Sequence, residues 1–188
     1  MLKKDARKKY LDIRNNITNK DTKSMEITNR FLSLTSLDSY KTIGLYFSFS
    51  SELNTKFLID KLLSLGKIIC VPRIIDNEMV FIRYYLNDKL EKNQYGIDEP
   101  LYKPENIISP KEIDLIIVPG VLFDKNLHRV GYGKGYYDKY LAKTHALKIA
   151  LVFDELVIEN IDGVNDYDIK MDKIITEKRI YSKWFYYN

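Results

Sequence analysis

The chain has 188 residues, 30 of them basic and 26 acidic, for a formal net charge of +4, and 45% of it is hydrophobic. That length suits one globular domain, which buries roughly 70% of its unfolded surface, and the mild basic excess fits a small polyanion such as a nucleotide or a polyglutamate tail as well as nucleic acid. A single cysteine excludes an intramolecular disulfide framework and suits a reducing compartment; the charged start and the lack of an apolar run long enough to span a bilayer point to a cytoplasmic protein.

Residues 3–18 read as a basic amphipathic helix, with Ala6, Tyr10, Ile13 and Ile17 at helical steps. Asp21 or Thr22 caps a second helix running to about Leu37, with Met25, Phe31 and Leu34 inward. The period then changes, and Thr42 to Phe47 reads as a buried strand. Thr55 to Leu65 returns to helical spacing through Phe57, Leu58, Lys61, Leu62 and Leu65, and Gly66 stops it. Lys67 to Val71 is a second strand, closed by Pro72 and holding Cys70 as a core thiol; Glu78 to Tyr84 is a third. Residues 86–112 are polar, carry Pro100, Pro104 and Pro110, and read as a long surface connection with room for a short strand.

Ile113 to Val118 is the clearest buried strand in the chain, ended by Pro119 and Gly120. A glycine-rich turn follows, then a helix from about Gly135 to Lys143, a strand from Leu147 to Phe153, and a last one from Lys173 to Thr176 before a polar, aromatic tail. Strands that alternate with helices, several of them apolar on both sides, argue an α/β fold: an open, mostly parallel, doubly wound sheet with helices on both faces, in a single domain over 1–188. Such sheets bind ligands at the carboxyl ends of their strands, so the loop after 113–118 is the first place to look.

Four of the eight glycines fall between 120 and 135, and Gly131, Gly133 and Gly135 alternate. Successive backbone N–H groups in such a turn, leading into a helix start, make an anion-binding concavity. Arg129 and Lys134 add positive charge, and Asp138 on the first turn of the helix can hold Mg²⁺ beside a phosphate. A lone glycine loop capping a helix explains the glycines but not this set of charges. Neither a P-loop pattern nor the G-x-G-x-x-G fingerprint is present.

Pro119-Gly120, Phe123-Asp124 and Arg129-x-Gly131-x-Gly133-x-Gly135-Tyr136-Tyr137-Asp138 closely resemble the signature of 5-formyltetrahydrofolate cyclo-ligases. Lys3 to Arg7 is similar to the family's basic first helix, Phe47 to Thr55 to its folate-binding segment, and Asn165 to Asp168 to the stretch that supplies a second metal-binding aspartate. Val71-Pro72-Arg73 and Tyr95 to Pro100 match in kind and order, so the resemblance covers essentially the whole chain.

The resemblance implies ATP-dependent closure of 5-formyltetrahydrofolate, with or without a polyglutamate tail, to 5,10-methenyltetrahydrofolate, ADP and phosphate through a phosphorylated iminium species. It implies Lys134, Arg129 and Tyr136 at the reacting groups. ATP falls to Lys3, Arg7, Arg129, Gly131, Gly133, Lys134, Gly135, Tyr136 and Tyr137. Folate falls to Phe47, Glu52, Tyr132 and the 133–136 stretch, and Mg²⁺ to Asp138 and Asp168. The chain is expected to act as a monomer, without nucleic acid or membrane.

On spacing alone Lys3 and Arg7 read as a solvated basic face, Asp168 as a turn residue and Glu52 equally as a helix N-terminal acid. His128 and His145 are assigned to the surface. Competing readings are a small kinase using the same loop, a nucleic-acid-binding module, and a catalytically silent folate-binding protein. The acidic residues spread among the basic ones weaken the second, and Lys134 with Asp138 argue against the third.

Overall fold

The computed structural model describes residues 3–34 and 36–183, so the aromatic end of the tail, 184–188, lies outside the described residues. In chain order the elements are α1 (Lys3–Asn16), α2 (Lys20–Leu34), β1 (Thr42–Gly44), α3 (Lys56–Ser64), β2 (Ile68–Ile75), β3 (Glu78–Tyr84), β4 (Leu90–Lys92), β5 (Asp98–Pro100), β6 (Ile107–Ile108), β7 (Leu115–Ile117), β8 (Leu122–Asp124), β9 (Arg129–Val130), α4 (Tyr136–Leu141), β10 (Leu147–Leu151), β11 (Val157–Ile158), β12 (Lys173–Ile175) and β13 (Ile180–Ser182). The main sheet has eight strands in the order β13-β12-β10-β7-β1-β2-β3-β6. Its inner five, β12 to β2, are parallel, and antiparallel strands close both edges.

Apolar strands flanked on both sides must be covered on both faces. Leu115, Ile116 and Ile117 of β7 are fully buried. The connection β1-α3-β2 crosses the sheet in one direction and β7-α4-β10 in the other. Crossovers are right-handed, so opposite directions put α3 and α4 on opposite faces. The reversal lies between β1 and β7, and a crevice opens beyond their carboxyl ends. Asp114 fixes the other end of this pair: its Oδ2 accepts the N–H groups of Lys41 and Thr42 at 2.7 and 2.8 Å.

Several details differ from the sequence-based expectation. Pro72 does not end β2, which continues to Ile75 opposite β3. Ile68 and Cys70 turn their backbone groups toward β1 (Ile68 N–H to Lys41 O, Leu45 N–H to Cys70 O, both 2.9 Å). Pro72 points its nitrogen the same way, past the end of β1, so the missing N–H breaks no ladder bond.

In α2, Met25 and Leu34 are exposed and the buried stripe is Ser24, Ile27, Thr28 and Phe31. Small hydroxyl residues on that stripe hide its phase; Ser24 Oγ accepts the Asn54 N–H at 3.2 Å. In α3 the inward residues are Leu58, Ile59 and Leu62, while Phe57 and Leu65 are exposed. The stretch after β7 is more than a turn. It folds into the β8–β9 hairpin, which joins β11 in a separate three-stranded sheet. Residues 86–112 hold the β4–β5 hairpin and β6, and β13 lies in the presumed tail.

Gly44 is a packing requirement at the centre of the sheet. A Cβ there would lie 2.9 Å from Cε1 of the fully buried Phe81 ring and 3.2 Å from Cγ1 of Ile116. Gly44→Ala is therefore expected to destabilise the fold by about 1–3 kcal/mol through overpacking, read as a lower urea midpoint at unchanged slope. An unchanged midpoint contradicts this account of the β1–β3 contact.

Candidate functional site

The loops that leave β1 and β7 line one cleft of about 550 Å³. On the β7 side, the β8–β9 hairpin returns Arg129 beneath the glycine-rich loop. Arg129 is buried; its Nη1 donates to Pro119 O at 3.2 Å, its Nη2 to Asp138 Oδ1 at 3.1 Å, and its guanidinium lies 5.6 Å from the Tyr137 ring centroid. A Cβ on Gly131 would sit 2.5 Å from Arg129 Nη1, so a larger residue there must push the buried guanidinium away from the loop. Gly133 and Gly135 have φ of 95° and 71°, the left-handed region that favours glycine. Gly135 precedes the first residue of α4, whose first-turn N–H groups have no intrahelical partner and face the same end of the sheet.

One face of α1 closes this side of the cleft. Lys3, Arg7 and Arg14, at steps of four and seven, fall on one helical stripe. Lys3 Nζ pairs with Asp168 Oδ2. Arg7 Nε donates to Gly131 O at 2.8 Å. Arg14 donates through Nε to Ser51 Oγ at 3.1 Å and through Nη1 to the Tyr132 hydroxyl at 2.8 Å. Burial works to raise the Asp168 carboxyl, but Lys3, the Asn165 N–H and Arg129 overcome it and hold it below the usual aspartate range.

The β1 side carries Glu52. Its Oε1 accepts the Tyr132 hydroxyl, its Oε2 accepts the Phe49 N–H at 2.9 Å, and Arg14 Nη1 stands 4.0 Å away. Burial raises the Glu52 carboxyl above its ordinary range against the pull of those three partners. Phe47 meets Tyr84 edge to face at 5.2 Å and borders the cleft. Tyr137 buries a hydroxyl that has no partner among the described residues, and burial pushes its ionisation upward.

Every residue that the sequence analysis assigned to ATP, folate or metal borders this one cleft, including the half-buried Tyr136 and the exposed Lys134. Lys134 has no ion pair or hydrogen bond among the described residues. The sequence reading missed Arg14, although it continues the Lys3–Arg7 stripe. It also passed over Arg73 as a site residue; Arg73 lines the cleft and anchors the β4–β5 hairpin through Glu91 at 2.6 Å and Pro100 O at 2.6 Å. His128 is not simply a surface residue: it is part-buried and its Nδ1 lies 2.9 Å from the fully buried Asp124, away from the cleft.

Asp138 and Asp168 fit a hard cation that keeps several waters. Each engages one carboxylate oxygen, Asp138 Oδ1 with Arg129 and the Ile169 N–H and Asp168 Oδ2 with Lys3 and the Asn165 N–H. The other oxygen of each has no partner among the described residues. Mg²⁺ is commonly held by one or two carboxylates plus substrate phosphates.

A family model described as the 5-formyltetrahydrofolate cyclo-ligase family matches residues 2–177. The chain is similar to 5-formyltetrahydrofolate cyclo-ligase of Haemophilus influenzae, 36% identical over 118 residues, which are 61% of this chain and 63% of that protein, less than two thirds of its length. It is 30% identical over 167 residues to that of Mus musculus, covering 82% of each. Its fold is similar to the NMR structure of Aquifex aeolicus 5,10-methenyltetrahydrofolate synthetase, at 30% identity and a TM-score of 0.86, covering 97% of this chain and 93% of that one. No helix among the described residues is long and apolar enough to cross a membrane.

The Glu52 environment has a measurable sign. A carboxyl raised by folding costs nothing below the ordinary value of 4.5 and destabilises increasingly as pH rises through its folded value. In a carboxyl ¹³C NMR titration, Glu52 is expected to titrate above 4.5, and higher still in Tyr132→Phe, which loses a hydroxyl that favours the charged form. A value at or below the ordinary one, or a fall in the variant, contradicts this geometry.

Proposed function

The chain belongs to the 5-formyltetrahydrofolate cyclo-ligase family, and from that premise we propose that it uses ATP to close 5-formyltetrahydrofolate to 5,10-methenyltetrahydrofolate, with release of ADP and phosphate. The observation that carries this reading is the single cleft that joins a cationic glycine-rich loop to a buried carboxylate walled by aromatic rings. The first feature suits a triphosphate and the second an amino-pyrimidine ring of a pterin.

The chemistry needs an activated amide oxygen, since oxide is a poor leaving group. The formyl oxygen attacks the γ-phosphorus, an O–P bond forms, and ADP departs with the electrons of the broken P–O bond. The neighbouring folate nitrogen then attacks the formyl carbon, that nitrogen loses its proton, and phosphate leaves with the C–O electrons. Charge spreads over phosphoryl oxygens in the first step, so catalysis rests on positioning and on fixed positive charge. Arg7 stands at the Gly131 carbonyl and Lys134 at the open lip, where a flexible ammonium can follow the transferred group. Arg129 holds the loop and Asp138 in register, while Glu52 would accept pterin N–H groups and Phe47, Tyr132 and Tyr136 would cover its faces. Mg²⁺, held by Asp138 and Asp168, would neutralise phosphate charge.

The test mixes protein, 5-formyltetrahydrofolate, ATP and Mg²⁺ and follows the near-ultraviolet absorbance of the methenyl product. An ATP-dependent rise is expected, with kcat lowered about 10²-fold or more by Lys134→Ala and by Asp138→Asn in folded protein. Glu52→Gln is expected to raise KM for folate more than KM for ATP. Absence of product from folded, ATP-binding protein discards folate and leaves a small-molecule kinase as the surviving reading.

A further inference from the structure

Arg14 is 3% exposed and does not border the cleft, yet it touches two residues that do. Its Nη1 donates to the Tyr132 hydroxyl, and that hydroxyl donates onward to Glu52 Oε1. The direct Arg14–Glu52 approach is 4.0 Å, so Tyr132 relays the contact. The same guanidinium donates through Nε to Ser51 Oγ, and Ser51 in turn donates to Asn15 Oδ1 at 2.6 Å. One side chain of α1 thus binds both the loop after β1 and the glycine-rich loop. A buried arginine fixed through two donors in a planar fork orients its partners in a way that a single ammonium cannot.

We propose that Arg14 is a positioning residue that holds Glu52 and Tyr132 as one hydrogen-bonded unit, and that folate affinity depends on it although it lies outside the cleft. The inference rests on the folate reading of Glu52 given above. Around Glu52 stand Arg14 from α1, Tyr132 from the glycine-rich loop, the Phe49 N–H of its own loop, the buried Tyr46 from the end of β1, and the half-buried Tyr137 from α4. Arg14 is the only cation in that set, so the carboxylate has one source of full compensating charge, reached through one hydroxyl. When the guanidinium is lost, Tyr132 loses its donor and Glu52 the one cation beside it among the described residues. Both groups then relax away from a fixed orientation.

A plug that merely fills the space under α1 would make the opposite prediction, a loss of stability with no selectivity between substrates. The test compares Arg14→Gln, Arg14→Lys, Tyr132→Phe and the Arg14→Gln/Tyr132→Phe double variant, each checked for a folded melting transition. KM is measured separately for 5-formyltetrahydrofolate and for ATP, together with direct calorimetric binding of the folate without ATP. Arg14→Gln is expected to weaken folate about tenfold or more, the loss expected for one hydrogen bond to a charged group, while KM for ATP stays within about twofold. Arg14→Lys should recover only part of the loss. The double variant should bind folate no worse than Arg14→Gln alone, because the relay is already broken.

Equal weakening of both substrates, additive losses in the double variant, or full recovery by lysine overturns the inference. If Arg14→Gln does not fold, folate-selective losses in Arg14→Lys and Tyr132→Phe support it and unselective ones overturn it. A wild-type protein that binds the folate but makes no product sinks the cyclo-ligase reaction, and the calorimetric comparison still decides the role of Arg14. A wild-type protein that turns over while its Arg14 variants lose selectively nothing sinks the inference alone.

Discussion

The buried guanidinium of Arg129 sets the shape of the glycine-rich loop. It reaches the Pro119 carbonyl at the end of β7, the Asp138 carboxylate on α4 and the face of Tyr137, so one cation ties the entry and exit of the loop together. Close approach follows from that placement. Gly131 runs so near the guanidinium that a methyl group would collide with it, and a Cβ on Gly120 would meet Arg129 Cγ at 3.0 Å and the Phe123 ring at 2.6 Å. The β8–β9 hairpin that carries Arg129 back is therefore part of the site's construction. Its buried Asp124 accepts the N–H groups of Asn126, His128 and Ile161, each at 2.9 Å, which holds the hairpin's tip closed.

The second constraint is topological. Crossovers that reverse between β1 and β7 leave an opening, and α1 packs across the loops that border it. The helix carries its cations on one stripe because a helix repeats every 3.6 residues. Lys3, Arg7 and Arg14 accordingly meet three different loops along one line: the 165–168 turn, the glycine-rich loop and the loop that holds Glu52. A helix that read as a solvated basic face by spacing is in fact half sequestered, with Arg14 among the buried residues. Burying that cation is tolerable because its Nε and Nη1 groups donate to Ser51 and Tyr132 and a carboxylate lies behind the Tyr132 hydroxyl.

How much of this was legible depended on whether a residue's role followed from its own neighbours in sequence. β7 and β10 were readable because short apolar runs between turn residues have few other uses, and β3 because its residues alternate. The phase of α2 was not, since Ser24 and Thr28 are inward for reasons of size and hydrogen bonding that a hydrophobic count cannot register. Pro72 looked like a strand end because its tolerance depends on where β1 stops, a tertiary fact. The glycine-rich loop was legible as a motif, but its underlying hairpin was not: Leu122-Phe123 and Arg129-Val130 pair across residues 124–128, which carry no glycine and turn instead through Leu127 at φ 71°. Arg14 offered a faint signal, its place on the Lys3–Arg7 stripe, and burial of an arginine is a rare outcome that sequence does not favour.

The cations around the cleft are not equivalent, and the difference bears on how a polyanion would enter. Lys3 and Arg129 already face Asp168 and Asp138, so much of their field is cancelled within the protein. Arg7 engages a neutral carbonyl, which removes none of its charge, and Lys134 stands exposed without an ion pair among the described residues. Under the proposed reading, an approaching triphosphate would meet Arg7 and Lys134 first. For Lys3 and Arg129 to contribute fully, Asp168 and Asp138 must find another countercharge. Under the proposed reading, a cation held on the free oxygens of those two carboxylates would weaken their hold on the lysine and the arginine, so the nucleotide and its counter-cation would favour one another's binding.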